Sequence, residues 1–249
     1  MRILAIETAT AACSVAIGIG DEVFERATDP DAAKPSEQVP KLIERLLAEL
    51  GLGVASLDLI AFDMGPGAFT GIRIGCGLAQ GMALAAELPV IGLCSLRVLA
   101  LQAPEGEVLA ALDARMGEVY WAQYRRGSVG GRPTAVALGD PQVEAPALLR
   151  CPTDIGFALG DGLGVAVSPA VDGDSAGTSG EAVALFERLP ACVRVVDPRA
   201  RPRAADMVPL ALSDNEVGLA LPAEAVSPLY VRDKVALTAA EQLARRSAR

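Results

Sequence analysis

Histidine is absent from this chain of 249 residues. Without an imidazole there is no Ser–His–Asp triad, no Cys–His pair and no histidine-ligated zinc or iron. The five cysteines (Cys13, Cys76, Cys94, Cys151, Cys192) contain no Cys-x-x-Cys pair, so a cysteine-only zinc site is excluded too. Their odd number and small or apolar surroundings read as reduced thiols packed as small hydrophobes. Aromatic residues make up only 4%, too few for a base-stacking surface or a carbohydrate platform. Three lysines (Lys34, Lys41, Lys234) stand among 22 basic residues, and the formal charge is −9. That balance argues against unaided nucleic-acid binding, whose affinity rests on cations neutralising phosphates. The basic stretch "EQLARRSAR" reads as a solvated tail, residues 237–249. Long hydrophobic runs are lacking as well. Glu7 interrupts the apolar start, whose alternation reads as strand, so neither a signal peptide nor a membrane span is expected, and the expected location is the cytoplasm. Carboxylate–magnesium chemistry and acid–base chemistry by Lys, Asp or Glu stay open.

Half the residues are hydrophobic, enough for a large buried core. "RILAIET", "CSVAIGIG" and "EVFERAT" read as an antiparallel meander. In "KLIERLLAEL", Leu42, Ile43, Leu46, Leu47 and Leu50 fall at helical spacing, and Gly51 ends the helix. "LDLIAFDMG" is apolar enough for a strand buried on both faces. A helix over the glycine-rich segment, a strand at "LPVIGLCS" and a helix at "SLRVLALQA" follow. From about residue 105 the pattern restarts, with two strands joined at "DARMGE" and a further strand turning at Gly-Asp-Gly. A loop at "DGDSAGTSG" and helices at "EAVALFERLP" and "ADMVPLALSDN" complete the reading. The order predicts two α/β lobes, each a mixed sheet with packed helices. The first covers 1–104, rejoined by about 206–236, and the second covers 105–205.

The segment "DMGPGAFTGIRIGCGLAQGMALA" carries the main question. Its "GPGAFTG" turn lies between strand and helix, where free N–H groups can hold an anion. It lacks the endings of a P-loop and of a dinucleotide fold. The glycines inside the helix need another reason, because each costs about 0.8–1 kcal/mol relative to Ala. Gly75, Ala79 and Ala83 share one stripe, and Gly77 and Gly81 the adjacent one. Small residues at that spacing admit another backbone closely. Two readings stand: packing against the protein's own sheet, or a helix–helix interface with another chain.

"ILAIETAT..CSVAI", "GPGAFTGIRIGCGLAQGMALA", "DARMGEVYWAQY", "GDG" and "PLYVRDKVA" occur in that order, and together they resemble the bacterial TsaB (YeaZ) family across most of the chain. The resemblance implies a two-lobe actin-like/Hsp70-like ATPase (ASKHA) fold without catalytic competence. It implies pairing with the catalytic paralogue TsaD and the ATPase TsaE in making threonylcarbamoyladenosine in tRNA, with tRNA touched only indirectly. ATP and Mg would be used by those partners; this chain would hold no metal of its own, and whether its cleft keeps a nucleotide stays open. Carried over residue by residue, the resemblance places Arg73, Ile74, Gly75, Gly77, Leu78, Gly81 and Met82 at or near the interface with TsaD, or with a second copy in a homodimer.

The residues of a vestigial nucleotide cleft would be Glu7, Thr8, Gly65, Gly67, Asp113 and Asp161. The superfamily's first strand ends in Asp where this chain has Glu7, which either keeps a charge there or caps the adjacent loop. Asp113, Arg115 and Glu118 either fix a hairpin turn or line the cleft, and Asp161 has the same two readings. Tyr230 and Arg232 are expected to return the chain to the first lobe. Pro35 stands where many relatives keep one histidine. The rival function is an autonomous ATP-dependent phosphotransferase or ATPase using Glu7, "GPGAFTG" and Asp161. A metallopeptidase would need a metal site that a histidine-free chain does not furnish.

Overall fold

The alternating apolar residues of the first segment make three strands, β1 (Arg2–Glu7), β2 (Ser14–Ile19) and β3 (Glu22–Ala27), paired antiparallel as a meander. These come from a computed structural model that describes residues 1–28, 35–152, 154–167 and 183–232. Helix α1 (Pro35–Glu49) follows. Gly51, at φ 65°, lets the chain turn back so that Leu52 N–H donates to Leu47 O at 2.9 Å, a stop that favours glycine. Strand β4 (Leu59–Gly65) pairs parallel with β1. Helix α2 (Phe69–Ala86) then leads to β5 (Val90–Cys94), parallel to β4, and to the short α3 (Ser95–Ala100). The sheet order is β3-β2-β1-β4-β5.

This sheet is covered on both faces, which is why β4 is an almost unbroken apolar run. On one face Leu4, Ile6, Ile17, Ile60 and Phe62 pack with Ile43 and Leu46 of α1 and with Cys76, Ala79 and Ala83 of α2. Each such Leu, Ile or Phe contributes about 1.5–3 kcal/mol by leaving water. On the other face Ile3, Ala5, Leu59 and Ala61 share a core with α3 and the second sheet.

The second sheet is built on the hairpin of β6 (Gly106–Arg115) and β7 (Glu118–Val129). Its turn centres on Met116 and Gly117, at φ 59° and 77°, the left-handed pair that matches strand twist in a tight hairpin. Around it lie β8 (Arg132–Ala137), β9 (Gln142–Glu144), β10 (Phe157–Leu159) and, after the small ribbon of β11 (Ala166–Val167) with β12 (Val183–Ala184), β13 (Arg194–Asp197). The order is β13-β10-β6-β7-β8, with β9 on β7. Helix α4 (Ala204–Glu216) returns the chain to the first sheet. There Gly18 makes room for it: a Cβ at Gly18 would stand 2.5 Å from Val208 Cγ1. Arg97 ties α3 to α4 through a two-pronged pair with Asp214 (2.6 and 2.9 Å) and to β8 through Ala135 O. The architecture is the mixed α/β arrangement expected of the actin-like class.

Two expectations change. The described part of "EAVALFERLP", from Val183 on, forms no α-helix; β12 runs into a 3-10 turn over Leu185–Arg188. Leu185 is the one buried residue there and Phe186 is 37% exposed, so no apolar stripe exists to dock a helix. Strands β8, β9 and β13 were not anticipated; of them, β9 and β13 are only three and four residues long. The loop "DGDSAGTSG" and the tail 237–249 lie outside the described residues.

Candidate functional site: the glycine helix and the cleft beside it

The loop after β1 is the seat of α2. Glu7 Oε1 accepts from Ala9 N (2.8 Å) and Thr10 N (3.2 Å), which shapes the loop as a cap would. Ala68 N donates to Ala9 O at 2.7 Å, joining that loop to the turn before α2. The fit has no spare room. A Cβ at Gly67 would lie 2.4 Å from Ala9 O, one at Gly71 2.0 Å from Thr8 O, and one at Gly75 2.4 Å from Thr8 Oγ1. Gly67 and Gly71 are required because the chain there lies directly on a neighbouring backbone, and Gly75 because it lies on the Thr8 side chain.

Gly77 and Gly81 differ. A Cβ at either meets nothing within 4 Å among the described residues, and both are exposed. The expected interface set therefore divides: Gly75 is buried against Thr8 of its own chain, while Gly77 and Gly81 face outward. Ile74, Leu78 and Met82 are half-buried, the last two resting on the core beneath α1 and α2. Leu84 continues the outward face at 60% exposure. From Ile74 to Ala86 there is no charged residue. The one strongly polar group there, Gln80, is used inward, its Nε2 donating to Ala223 O and Val226 O at 3.1 Å each.

At the start of α2, Arg73 lies 3.7 Å from the Phe69 ring centroid and 5.5 Å from that of Tyr230, and its Nε donates to Tyr230 Oη at 2.8 Å. Tyr230 thus meets the first lobe as expected. Arg232 does not: its guanidinium donates to Ala114 O (3.1 Å) and to the Glu118 carboxylate, on the β6–β7 hairpin of the second sheet. With Leu229 N donating to Met64 O at 2.7 Å, residues 229–232 bridge the two sheets.

Beneath that bridge is a cavity of about 220 Å³ whose walls include Gly67, Asp113, Tyr120, Asp161 and Arg201. Its carboxylates are already engaged. Asp161 accepts from Asp113 N (3.0 Å) and from Arg201 Nε (3.1 Å), while Asp113 accepts from Arg115 N (2.7 Å) and Arg115 Nη1 (3.0 Å), fixing the hairpin turn. Of the expected cleft residues, Gly67, Asp113 and Asp161 come together; Glu7, Thr8 and Gly65 do not line the cavity. Glu7 and Thr8 are fully buried, and Gly65, at φ 105°, serves the turn before α2. Among the described residues no group of three or more Asp, Glu, Cys or His gathers to hold a metal. No helix of the described residues is long and apolar enough to cross a membrane.

Sequence reasoning missed Asp63. Its carboxyl is 0% exposed; Oδ1 accepts from Gly65 N (2.8 Å) and Ser95 Oγ. Burial raises it to about 7. Burial, and then the Asp63 charge, hold Glu7 well above the usual carboxylate range. A single acid inside the apolar run "LIAFDMG" was the available signal.

The chain matches the TsaD family, described as tRNA N6-adenosine threonylcarbamoyltransferase, over residues 30–241. It is 34% identical to the tRNA threonylcarbamoyladenosine biosynthesis protein TsaB of Escherichia coli (strain K12), covering 95% of this chain and 96% of that one. The corresponding Haemophilus influenzae TsaB is 41% identical over 52% of this chain and 56% of its own length. Among solved structures, YeaZ from Pseudomonas aeruginosa superposes with a TM-score of 0.74 at 31% identity, covering 92% of this chain and 99% of that one. A Pseudomonas aeruginosa protein described as similar to peptidase YEAZ gives 0.76 at 31% identity, over 93% and 99%. A two-lobe actin-like arrangement, a glycine helix seated on the β1–β2 loop, and relatives matched almost end to end agree: the chain belongs to the TsaB/YeaZ family.

Proposed function

We propose that this chain is a non-catalytic subunit of tRNA threonylcarbamoyladenosine synthesis, and that it docks a TsaD paralogue on the outward face of α2, with TsaE joining the pair. The observation that carries this reading is the face itself. Gly77 and Gly81 carry a helical cost of about 0.8–1 kcal/mol each, and no contact among the described residues explains them. They lie in a stretch free of charge from Ile74 to Ala86. A second helix could approach along that groove at backbone distance, and Arg73, Ile74, Leu78 and Met82 would flank it. The same face would serve a homodimer when TsaD is absent.

Two features support the non-catalytic part. Thr8 and Ala9 carbonyl groups press on the first turn of α2, crowding the place where a phosphate would rest in a nucleotide enzyme. Asp113 and Asp161 are tied up by arginines and backbone N–H groups. The charge of −9 leaves tRNA contact to the partners, and ATP and Mg belong to their chemistry.

The test is light scattering on size-exclusion chromatography of the chain mixed with its own TsaD. The wild type is expected to give a one-to-one complex and Gly77→Arg to lose it, with an unchanged circular dichroism spectrum because that side chain enters open space. A complex that survives Gly77→Arg, or Mg-dependent ATP turnover by the isolated chain, overturns the reading.

A further inference from the structure

Glu7 ends β1 and Asp63 lies near the end of the neighbouring parallel strand β4, and both are 0% exposed. The register pairs Ile6 with Phe62, so the next two side chains stand side by side, on the face shared by Ala5 and Ala61. Each carboxyl has one oxygen satisfied. Glu7 Oε1 holds the loop at Ala9 and Thr10, and Asp63 Oδ1 holds Gly65 and Ser95. The other oxygens, Glu7 Oε2 and Asp63 Oδ2, are buried with no hydrogen-bond partner among the described residues.

The neighbours supply no cation. Among the described residues no Lys or Arg forms an ion pair with either group. Cys13, beside Glu7, has its thiol pushed up to about 12 by burial and then by the Glu7 charge. Glu25 on β3 adds a weak repulsion to Glu7. On the other side stand Ser95 and Cys94, the latter paired with Tyr124, and burial raises both the Cys94 thiol and the Tyr124 phenol. Two adjacent buried carboxylates would leave two unpaired charges with nothing to compensate them. One proton removes one of those charges and turns an orphan acceptor into a donor between the neighbouring carboxyls.

We propose that Glu7 and Asp63 hold a single proton between them in the folded protein, and that this proton fixes the seat of α2. Each carboxyl anchors one side of that seat: Glu7 the loop under Gly67, Gly71 and Gly75, and Asp63 the turn that begins the helix. Loss of the proton sets two negative charges against each other there.

The sign follows from linkage. Unfolded, both groups are ionised above about pH 5; folded, the pair keeps a proton into the neutral range, since burial raises both. Folding therefore takes up a proton, and stability falls as pH rises, until the pair itself ionises. The folding constant loses about tenfold per pH unit within that window.

Urea unfolding from pH 5 to 9 tests this on wild type and Glu7→Gln, whose amide can keep the loop contacts through Oε1 and donate to Asp63 permanently. The expected result is a tenfold-per-unit decline in wild type relative to Glu7→Gln, with faster amide exchange over residues 66–75 of wild type above neutral pH. Parallel pH profiles for the two proteins overturn the proposal. If Glu7→Gln fails to fold, Asp63→Asn places the mirror amide. Infrared spectroscopy of the wild type at pH 7 supplies a direct reading: a protonated-carboxyl carbonyl band is expected when surface carboxylates are ionised, and its absence overturns the assignment. A stability at pH 7 that drops on removing Mg or K ions would overturn it too, since a bound cation would then fill the gap.

Discussion

Helix α2 carries two pairs of glycines, each at a spacing of one turn, and they exist for opposite reasons. Gly71 and Gly75 face inward onto Thr8, where any side chain would collide. Gly77 and Gly81 face outward into open space. The helix loses about the same intrinsic stability at each, but only the inward pair recovers it, through close packing on the β1–β2 loop. A residue that destabilises its own helix and meets nothing among the described residues is what the proposed docking face rests on. The lesson is that a run of small residues is informative only once the missing side-chain atoms are placed and asked what they would meet.

The comparison can be broken at the inward pair first. Gly71→Ala drives a methyl group into the Thr8 backbone carbonyl, which cannot step aside without moving the loop, and should cost about 3 kcal/mol or more in urea unfolding. Gly75→Ala meets a side-chain oxygen instead, so its cost should be smaller, about 1–3 kcal/mol. Adding Thr8→Ala removes the colliding hydroxyl and should recover much of that loss, a coupling that a double-mutant cycle reads directly. At the outward pair the sign reverses: Gly77→Ala and Gly81→Ala should each stabilise the isolated chain by up to about 0.8–1 kcal/mol. The smallest effect sharpens the boundary between the helix and the cleft. Tyr230→Phe loses the bond from Arg73 at a partly exposed site, and thermal unfolding should show a loss of about 0.5–1 kcal/mol.

Local pattern carried much of this fold. The β1–β2–β3 meander, the α1 stripe ending at Gly51 and the doubly buried β4 all follow from periodicity and from glycine. Strands β9 and β13 are too short for a period to show, and β12 with its 3-10 turn had the hydrophobicity of a helix without a surface to bury it. The site was legible in the same uneven way. Spacing separated the two glycine stripes of α2, yet which one faced inward depended on Thr8, a contact set by the pairing of β1 with β4 that no local window contains. The Asp113–Arg115 pair followed from the hairpin motif. Asp63 did not stand out, because its importance comes from the neighbour that the sheet register places beside it. The Arg232 clamp was hidden for the same reason: its partners, Ala114 and Glu118, belong to the other lobe.

The most direct test of the central claim uses the double variant Gly77→Ala/Gly81→Ala, compared with wild type both by urea unfolding alone and by calorimetric titration with TsaD. If the outward glycines serve a partner, the variant will be more stable on its own, by up to about 2 kcal/mol, and will bind TsaD at least about tenfold more weakly, a difference of about 1.4 kcal/mol. A variant that gains stability and binds TsaD as tightly as wild type would contradict the account, because the open glycines would then have no role at the interface.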